Sequence, residues 1–268
     1  MSHYQRIACL STEAVETLYA LGAEDVIAGI SGFTVRPPRA RTEKTKISGF
    51  SSADLTRILA VQPDLVIGFC DMQADICRDL VKAGIEVHQF NQRTVDGILR
   101  MIGVLAALVR REEAGKVLVA SLRADIAATR ARAAAWTRKP VIYFEEWNDP
   151  LMSGIGWVAE LIDIAGGTDA FPDLSAHPGA KERIIGDPQE VVRRAPDIII
   201  ASWCGKKFQP AQLTARPGWD AIPAVRHEML FEIKSPDILS PGPAAITEGL
   251  RQLSDIIARW QEQQERQA

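Results

Sequence analysis

The stretch DLTRILAVQPDLVIGFCD (residues 54–71) recurs later in the chain as DPQEVVRRAPDIIIASWCG (residues 187–205). Both copies begin with Asp, continue with an apolar helical pattern, pass through a Pro-Asp turn and end in an apolar run. Pro63 corresponds to Pro196, 133 residues later. A looser similarity joins VETLYALGAEDVIAG (15–29) to VAELIDIAGGTDAFP (158–172). Two similarities in the same order predict a chain built from two related α/β lobes.

Further apolar runs alternate with helical patterns, in RIACL (6–10), DVIAGI (25–30), EVHQF (86–90), PVIYFEE (140–146) and MLFEIK (229–234). Continuous apolar strands separated by helices are typical of parallel sheets that are covered on both faces. The sequence therefore predicts an α/β fold of two Rossmann-like lobes with central parallel sheets. On the helix that follows the second lobe's first strand, Trp157 shares an apolar face with Leu161 and Ile164, which predicts a core position.

A helical segment separates the two predicted lobes. Residues 94–136 contain no proline, are rich in Ala, Leu, Arg and Glu, and keep a helical period almost throughout. We expect a short helix to about residue 109 and a long backbone helix over about 112–136. The predicted organisation is an N-terminal lobe over 1–93, connecting helices over 94–136 and a C-terminal lobe over 137–268.

The composition restricts the function classes. A net charge of −3 gives no reason to expect nucleic acid as a partner, and no apolar stretch is long enough to span a membrane. The chain holds four cysteines without a C-x-x-C pair, and its start shows no secretory signal pattern. These features predict a cytoplasmic protein, or a periplasmic one if a leader precedes this sequence.

Ligands of parallel α/β sheets lie at the carboxyl ends of the strands, so the residues that follow the predicted strands are the site candidates. They would line a cleft between the two lobes. The first half offers Arg36, Phe69, Asp71, Gln73, Asn91 and Arg93, and the second half offers Glu146, Trp147, Trp203, Lys206 and Ser240. No built-in cofactor, metal ligand set or catalytic residue is expected, because neither phosphate-binding glycine motif nor a nucleophile with a nearby base is visible.

Several of these residues have two interpretations. Trp147 and Trp203 either form flat walls against a ligand or pack locally under a loop. Lys206 is either a solvated surface charge or the partner of an anionic ligand group, helped by Arg36 or Arg93. Cys70 and Cys204 lie near the ends of the two copies of the repeat. They are either buried cysteines that act as small hydrophobic residues or a metal-binding or redox pair. Of the adjacent Glu145 and Glu146, we expect one to bind a cationic or hydroxyl-bearing ligand.

The chain resembles the helical-backbone substrate-binding proteins of ABC importers for cobalamin, siderophores and haem, most of all the cobalamin-binding type. The resemblance covers nearly the whole sequence and is carried by RIACLSTEAVETLYALGAEDVIAGIS, ISGFSSADLTRILAVQPDLVIGF, EEWNDPLMSGIGWVAELIDIAGG and SPDILSPGPAAITEGL. It implies two α/β lobes joined by one long helix, a corrinoid ligand, and a cleft aromatic at Phe50.

The same resemblance implies a surface glutamate on each lobe that docks onto a permease. The matching positions are Thr56 and Gln189, which carry no charge, although Asp54 and Glu190 are their close neighbours. We therefore expect a non-enzymatic protein that binds a corrinoid, such as cobalamin, without that docking contact. The alternatives are an iron-chelate or haem binding component of an ABC importer, and an enzyme that processes a metal cofactor with Cys70, Cys204 and Glu146.

Overall fold

The structure, a computed structural model, describes residues 3–49 and 52–267. The chain divides into two units. Unit 1 runs from the N-terminus to Gln92 and includes Asp96–Leu122 and Pro241–Pro243, and unit 2 comprises Arg93–Val95, Arg123–Ser240 and the chain from Ala244 onward. Both units combine a sheet with helices, which confirms the predicted two-lobed α/β fold. The predicted segment 94–136 is shared between the two units in this division.

Unit 1 is built on a parallel sheet. Its strands are β1 (Ile7–Cys9), β2 (Ile27–Ser31), β3 (Lys46–Ser48), β4 (Leu65–Gly68) and β5 (Val87–Gln89), in the spatial order β3-β2-β1-β4-β5. Its helices are α1 (Thr12–Ala20), α2 (Ala40–Glu43), α3 (Leu55–Ala60), α4 (Ala74–Lys82) and α5 (Val95–Leu108). Short 3₁₀ turns occupy Glu24–Val26 and Asp71–Gln73.

The long helix α6 (Glu112–Ala133) follows, and its residues up to Leu122 belong to unit 1 and the remainder to unit 2. The predicted pair of helices in the segment 94–136 is confirmed, with the break at residues 109–111 and the second helix three residues shorter than expected. Arg110 has a φ of 54°, the left-handed conformation that commonly ends a helix.

Unit 2 contains a mixed sheet. The strands are β6 (Val141–Asn148), β7 (Leu151–Ser153), β8 (Thr168–Asp169), β9 (Ile198–Ala201) and β10 (Leu230–Glu232), in the order β10-β9-β6-β7, with β8 parallel to β6 and β7 antiparallel to it. The helices are α7 (Gly156–Ile164), α8 (Pro172–Ser175), α9 (Gln189–Arg194), α10 (Pro210–Thr214), α11 (Pro223–Arg226), α12 (Ser235–Ile238) and α13 (Leu250–Gln267), and a π-helical turn at Ala245–Gly249 leads into α13. Short 3₁₀ turns lie at Lys181–Arg183 and Trp219–Ala221.

The internal repeat follows the same path in both units. After α3, Gln62 has a φ of 48°, and after α9, Ala195 has a φ of 46°, so a left-handed residue ends the helix immediately before the proline. The Asp64 carboxylate then accepts hydrogen bonds from the backbone N–H groups of Gln5 (2.7 Å) and Arg6 (3.0 Å), next to β1. The Asp197 carboxylate accepts one from Val141 (2.9 Å), the first residue of β6. In each unit the Asp of the repeated Pro-Asp pair therefore links the strand of the repeat to the neighbouring central strand, β4 to β1 and β9 to β6.

Apolar side chains from the central strands and the covering helices form the core of each unit. In unit 1 a buried cluster joins Ala8, Leu10, Ile47, Ile58, Val66 and Leu80. In unit 2 the residues of β9 are fully buried, and Trp157 is buried on α7 with its indole N–H donating to the carbonyl of Ile238 (2.9 Å), which confirms its predicted core position. Of the helices in the described ranges, none is both long enough and apolar enough to cross a membrane.

Candidate functional site

The carboxyl ends of β2 and β4 in unit 1 carry large apolar side chains on the surface. Phe33, two residues after β2, is 56% exposed, and Met72, shortly after β4, is 50% exposed. Phe69, the first residue after β4, is half-buried. We call Phe33, Phe69 and Met72 the apolar edge of unit 1. Because β2 and β4 flank β1, this edge spans two strand spacings, roughly 10 Å.

The loop after β4 is held rigidly beneath the apolar edge. The Gln73 side chain is 1% exposed, and its Oε1 accepts the backbone N–H of Phe69 (3.1 Å) while its Nε2 donates to the carbonyl of Leu10 (3.5 Å). Gln89 Nε2 donates to the carbonyl of Cys70 (2.5 Å). The amide of Gln73 is therefore buried and positions the loop, and its predicted ligand contact stays a prediction.

The remaining candidates of unit 1 differ in exposure. Asp71 and Asn91 are exposed directly after β4 and β5, which are neighbouring parallel strands. Arg36 is half-buried in the segment after β2. Phe50 lies outside the described residues. The structure thus brings Phe69, Asp71 and Asn91 to one edge of the sheet, as predicted from the positions of the strands.

A buried ionic network lies at the carboxyl ends of β6 and β9 in unit 2. Glu145 is fully buried, and its two carboxylate oxygens accept from Arg216 Nη1 (2.6 Å) and Nη2 (3.0 Å). The indole N–H of Trp203 also donates to Glu145 Oε1 (2.8 Å). The guanidinium of Arg216 lies 4.4 Å from the ring centroid of Trp219, which is completely buried.

Trp203 belongs to this network and not to an open surface. It is 3% exposed, and its ring meets Phe208 edge-on with centroids 5.2 Å apart. Its hydrogen-bonding group and its ring are both used inside unit 2, which favours local packing under the loop over a flat ligand wall.

Glu146 also has an internal partner. Its Oε2 and Oε1 accept from Arg183 Nη1 (2.5 Å) and Nη2 (3.1 Å), and Arg183 is 2% exposed. A carboxylate that is already neutralised by a bidentate arginine offers little to a cationic ligand. Glu146 therefore forms an ion pair with Arg183, and the predicted ligand contact at Glu146 stays a prediction.

Trp147 and Lys206 form the exposed part of the same region. The Lys206 Nζ lies 4.1 Å from the ring centroid of Trp147 and 3.5 Å from Asn148 Oδ1. The indole N–H of Trp147 donates to the carbonyl of Asp149 (2.7 Å), which fixes the orientation of the half-buried ring. Lys206 itself is exposed. The structure thus joins two of the predicted site residues in a cation–π contact.

Arg93 lies at a separate cavity of unit 2, with a volume of about 300 Å³. The cavity is also lined by Glu160, Ser175 and His177, and Arg93 Nε donates to the carbonyl of Pro178 (3.2 Å). Glu160 Oε2 accepts the backbone N–H of Val95 at the start of α5 (2.7 Å). Ser240 is half-buried after α12. Arg93 thus lies at this cavity, whereas Trp147 and Lys206 contact each other at the end of β6.

The two cysteines of the repeat have different environments. Cys70 is buried in unit 1, and Cys204 is exposed in unit 2. Desolvation, and then the negative charge of Glu146, raise the pKa of the Cys204 thiol, which opposes formation of a reactive thiolate. Within residues 3–49 and 52–267, His, Cys, Asp and Glu side chains form no group of three or more that could hold a metal ion.

Phe33, Met72, Arg183 and Arg216 were not predicted from the sequence. The sequence carries a signal for Phe33, because the tetrapeptide ISGF occurs at residues 30–33 and again at 47–50, where it ends in the predicted cleft aromatic Phe50. The two arginines have no such signal, since Arg183 and Arg216 lie 37 and 71 residues from the carboxylates they bind.

Comparisons with known proteins agree with this architecture. A vitamin B12-binding protein of Vibrio campbellii is 29% identical over 202 residues, 74% of this chain and 70% of that protein. A periplasmic vitamin B12 binding protein of Vibrio cholerae has the same fold, with a TM-score of 0.78 at 20% identity over 96% of this chain and 98% of its own. A periplasmic heme-binding protein from Roseiflexus sp. RS-1 also has this fold, with a TM-score of 0.79 at 22% identity over 94% of this chain and 99% of its own.

The sequence pattern of the family described as periplasmic binding protein matches residues 7–236. This match spans most of the chain and confirms the resemblance found in the sequence: the protein belongs to the periplasmic binding protein family.

Proposed function

We propose that this protein binds a corrinoid of the cobalamin type and does not catalyse a reaction. The observation that carries the proposal is the apolar edge of unit 1, where Phe33 and Met72 are half or more exposed at the strand ends that hold ligands in parallel α/β sheets. A large macrocycle has broad apolar faces, and burying such faces supplies most of its binding energy.

The polar residues around the apolar edge suit the rim of such a ligand. Asp71 and Asn91 are exposed beside Phe69, and they can accept and donate hydrogen bonds to amide groups at the periphery of a macrocycle. The curated relative from Vibrio campbellii is named for vitamin B12 binding, which supports the corrinoid over other macrocycles. A haem or an iron chelate is the competing ligand, supported by the heme-binding protein that shares the fold.

We further propose that the protein acts with an ABC importer on the periplasmic side, as the descriptions of its structural relatives suggest, and that the expected cytoplasmic location does not apply. The uncharged positions Thr56 and Gln189 still predict an altered permease contact. Asp54 Oδ1 caps α3 by accepting the N–H of Thr56 (2.9 Å), and Glu190 is paired with Arg193 and Arg194. Fractionation of the native cells tests the location, and recovery with cytoplasmic markers alone would refute it.

Titration of the purified protein with cobalamin tests the ligand. Phe33→Ala removes a side chain that a ligand would bury, a loss of about 1.5–3 kcal/mol. We expect cobalamin to bind the variant about tenfold or more weakly than the wild type, measured by calorimetry.

Val81→Ala is the matched control. Val81 is also a highly exposed apolar residue of unit 1, but it lies on α4 away from the strand ends. Its removal should leave the affinity unchanged, and both variants should keep the wild-type melting temperature. A wild type that binds hemin or a ferric chelate but no cobalamin would replace the corrinoid proposal with the competing ligand.

A further inference from the structure

The contact between Lys206 and Trp147 contributes little to the stability of unit 2. Within the described ranges no carboxylate lies within 4 Å of Lys206 Nζ, and its side-chain contacts are the Trp147 ring (4.1 Å to the centroid) and Asn148 Oδ1 (3.5 Å). An exposed cation–π contact of this kind contributes only about 0.5–1 kcal/mol. The ammonium group can therefore leave the ring at low cost.

The neighbouring carboxylates do not compete for this ammonium group. Glu145 is bound by Arg216, and Glu146 is bound by Arg183. Both ion pairs are bidentate, so the acidic residues next to Trp147 in the sequence are already neutralised. Lys206 is consequently a cation of this surface that an external anion can recruit, and it is the one that lies on the ring of Trp147.

Both members of the pair are presented by rigid elements. The turn that carries Lys206 is anchored by buried Trp203 and Phe208, and its backbone N–H bonds to the carbonyl of Trp203 (3.2 Å). Gly205 forms the turn with a φ of 73°. Trp147 is the penultimate residue of β6, and its indole N–H donates to the carbonyl of Asp149. These contacts hold the backbone at both residues, and the exposed lysine side chain is the part that is able to move.

We propose that Lys206 is a displaceable cover on the ring of Trp147, opened by an anionic group of a flat ligand. The ammonium group pairs with a phosphate or carboxylate of the ligand, and the vacated ring face stacks on the ligand's macrocycle. The proposal rests on the proposed function and adds to it a ligand requirement, namely an anionic oxygen group beside the planar ring. Cobalamin offers a phosphodiester, and haem offers two carboxylates.

The cover is tested first without ligand. Lys206→Met keeps the length of the side chain and removes its charge, and Lys207→Met is the matched control because Lys207 is also exposed in the same turn. The acrylamide quenching of Trp147 is obtained as the difference between each protein and its Trp147→Phe counterpart. We expect this quenching to rise at least about twofold in Lys206→Met and to stay unchanged in Lys207→Met. Equal quenching in all three proteins would overturn the cover.

The anionic requirement is tested with two pairs of probes: cobalamin against cobinamide, which lacks the phosphate, and hemin against hemin dimethyl ester, which lacks the free carboxylates. For the pair that the wild type prefers, Lys206→Met should bind the member that carries the anionic group about three- to tenfold more weakly, and should bind the member that lacks this group as well as the wild type does. The pair that responds identifies the anion as phosphate or carboxylate.

The outcomes separate the two proposals. If the wild type binds a macrocycle but Lys206→Met loses no preference for the anionic probe, the inference is wrong and the proposed function stands. If the wild type binds neither cobalamin nor hemin, the proposed function is wrong and the ligand part of the inference falls with it. In that case the difference in acrylamide quenching of Trp147 between Lys206→Met and the wild type still tests whether Lys206 covers the ring.

Discussion

Glu13 is a carboxyl group in an unusual place for an ionised residue. It lies in the first turn of α1 and is 2% exposed, with hydrogen bonds from the Thr12 hydroxyl (3.2 Å) and from Gln92 Nε2 (3.4 Å). Burial raises its pKa above the ordinary value of 4.5, and the hydrogen bonds to Ser11, Thr12 and Gln92 only partly oppose that shift. The Thr12 hydroxyl and the Gln92 amide that donate to this carboxyl group are both uncharged.

The sign of the pH dependence follows from the direction of this shift. In the unfolded chain Glu13 ionises near pH 4.5, while in the folded protein it keeps its proton to a higher pH. Its contribution to stability is therefore fully present below about pH 4.5 and is lost as the pH rises through the folded-state pKa. We expect Glu13→Gln to raise the free energy of unfolding at pH 7 by about 1–3 kcal/mol.

Urea denaturation between pH 4 and pH 8 measures this effect. The gain from Glu13→Gln should grow with pH and vanish at the acidic end of the range. Glu265→Gln, at an exposed position of α13, is the control and should leave the profile unchanged. A constant difference between Glu13→Gln and the wild type at every pH would show that Glu13 does not titrate abnormally.

Two glycines of the helical segment show how closely its elements pack. A methyl group at Gly115 on α6 would lie 2.5 Å from the Cβ of Ala106 on α5, whereas one at Gly103 would meet nothing within 4 Å. Alanine is favoured over glycine inside a helix by about 1 kcal/mol. We expect Gly103→Ala to gain about 0.5–1 kcal/mol of stability, and Gly115→Ala to lose about 1–3 kcal/mol because α5 and α6 must separate.

Thermal and urea unfolding of the two variants compare the same substitution in two environments. Far-ultraviolet circular dichroism should show that helix content is retained in both. If Gly115→Ala were as stable as Gly103→Ala, the close approach of α6 to Ala106 on α5 would not be real.

At this scale the sequence was a good guide where a local pattern determines the structure. The apolar runs predicted β1, β2, β4, β5, β6, β9 and β10, and the period of residues 94–136 predicted α5 and α6. The strands β3, β7 and β8 have the sequences KIS, LMS and TD, and they were missed because none of them lies in a continuous apolar run.

The candidate site was less predictable for a physical reason. Strand ends predicted ligand contacts at Phe69, Asp71, Asn91, Trp147 and Lys206, and these stay predictions. What the sequence did not predict are the tertiary partners of Gln73, Glu146 and Trp203, namely the carbonyl of Leu10, Arg183 and Glu145 respectively. A partner tens of residues away leaves no periodic trace in the sequence.

Long-range placement also defines the boundaries of the units. The tripeptide Pro241–Pro243 belongs to unit 1 although the chain on both sides of it belongs to unit 2. The carbonyl of Pro241 accepts from Gln92 Nε2 (3.0 Å), and Gly242 lies against Glu13. Glu13 and Gln92 form a buried polar cluster in unit 1, which is thus completed by residues from near the end of the chain. Unit 1 is therefore not a contiguous fragment of the sequence.

Gly242 is the position where this completion can be tested in the whole chain. A methyl group there would lie 2.6 Å from the Cβ of Glu13, so Gly242→Ala must push the tripeptide away from α1. We expect a loss of about 1–3 kcal/mol in the free energy of unfolding. Water admitted to Glu13 should also lower its pKa toward the ordinary value and flatten the pH dependence of stability between pH 4.5 and 8.

Gly186→Ala is the control, because an added methyl group there would meet nothing within 4 Å, and it should lose neither stability nor pH dependence. A Gly242→Ala protein with the wild-type profile would place the tripeptide away from Glu13, and the polar cluster of unit 1 would then be closed without the distant segment.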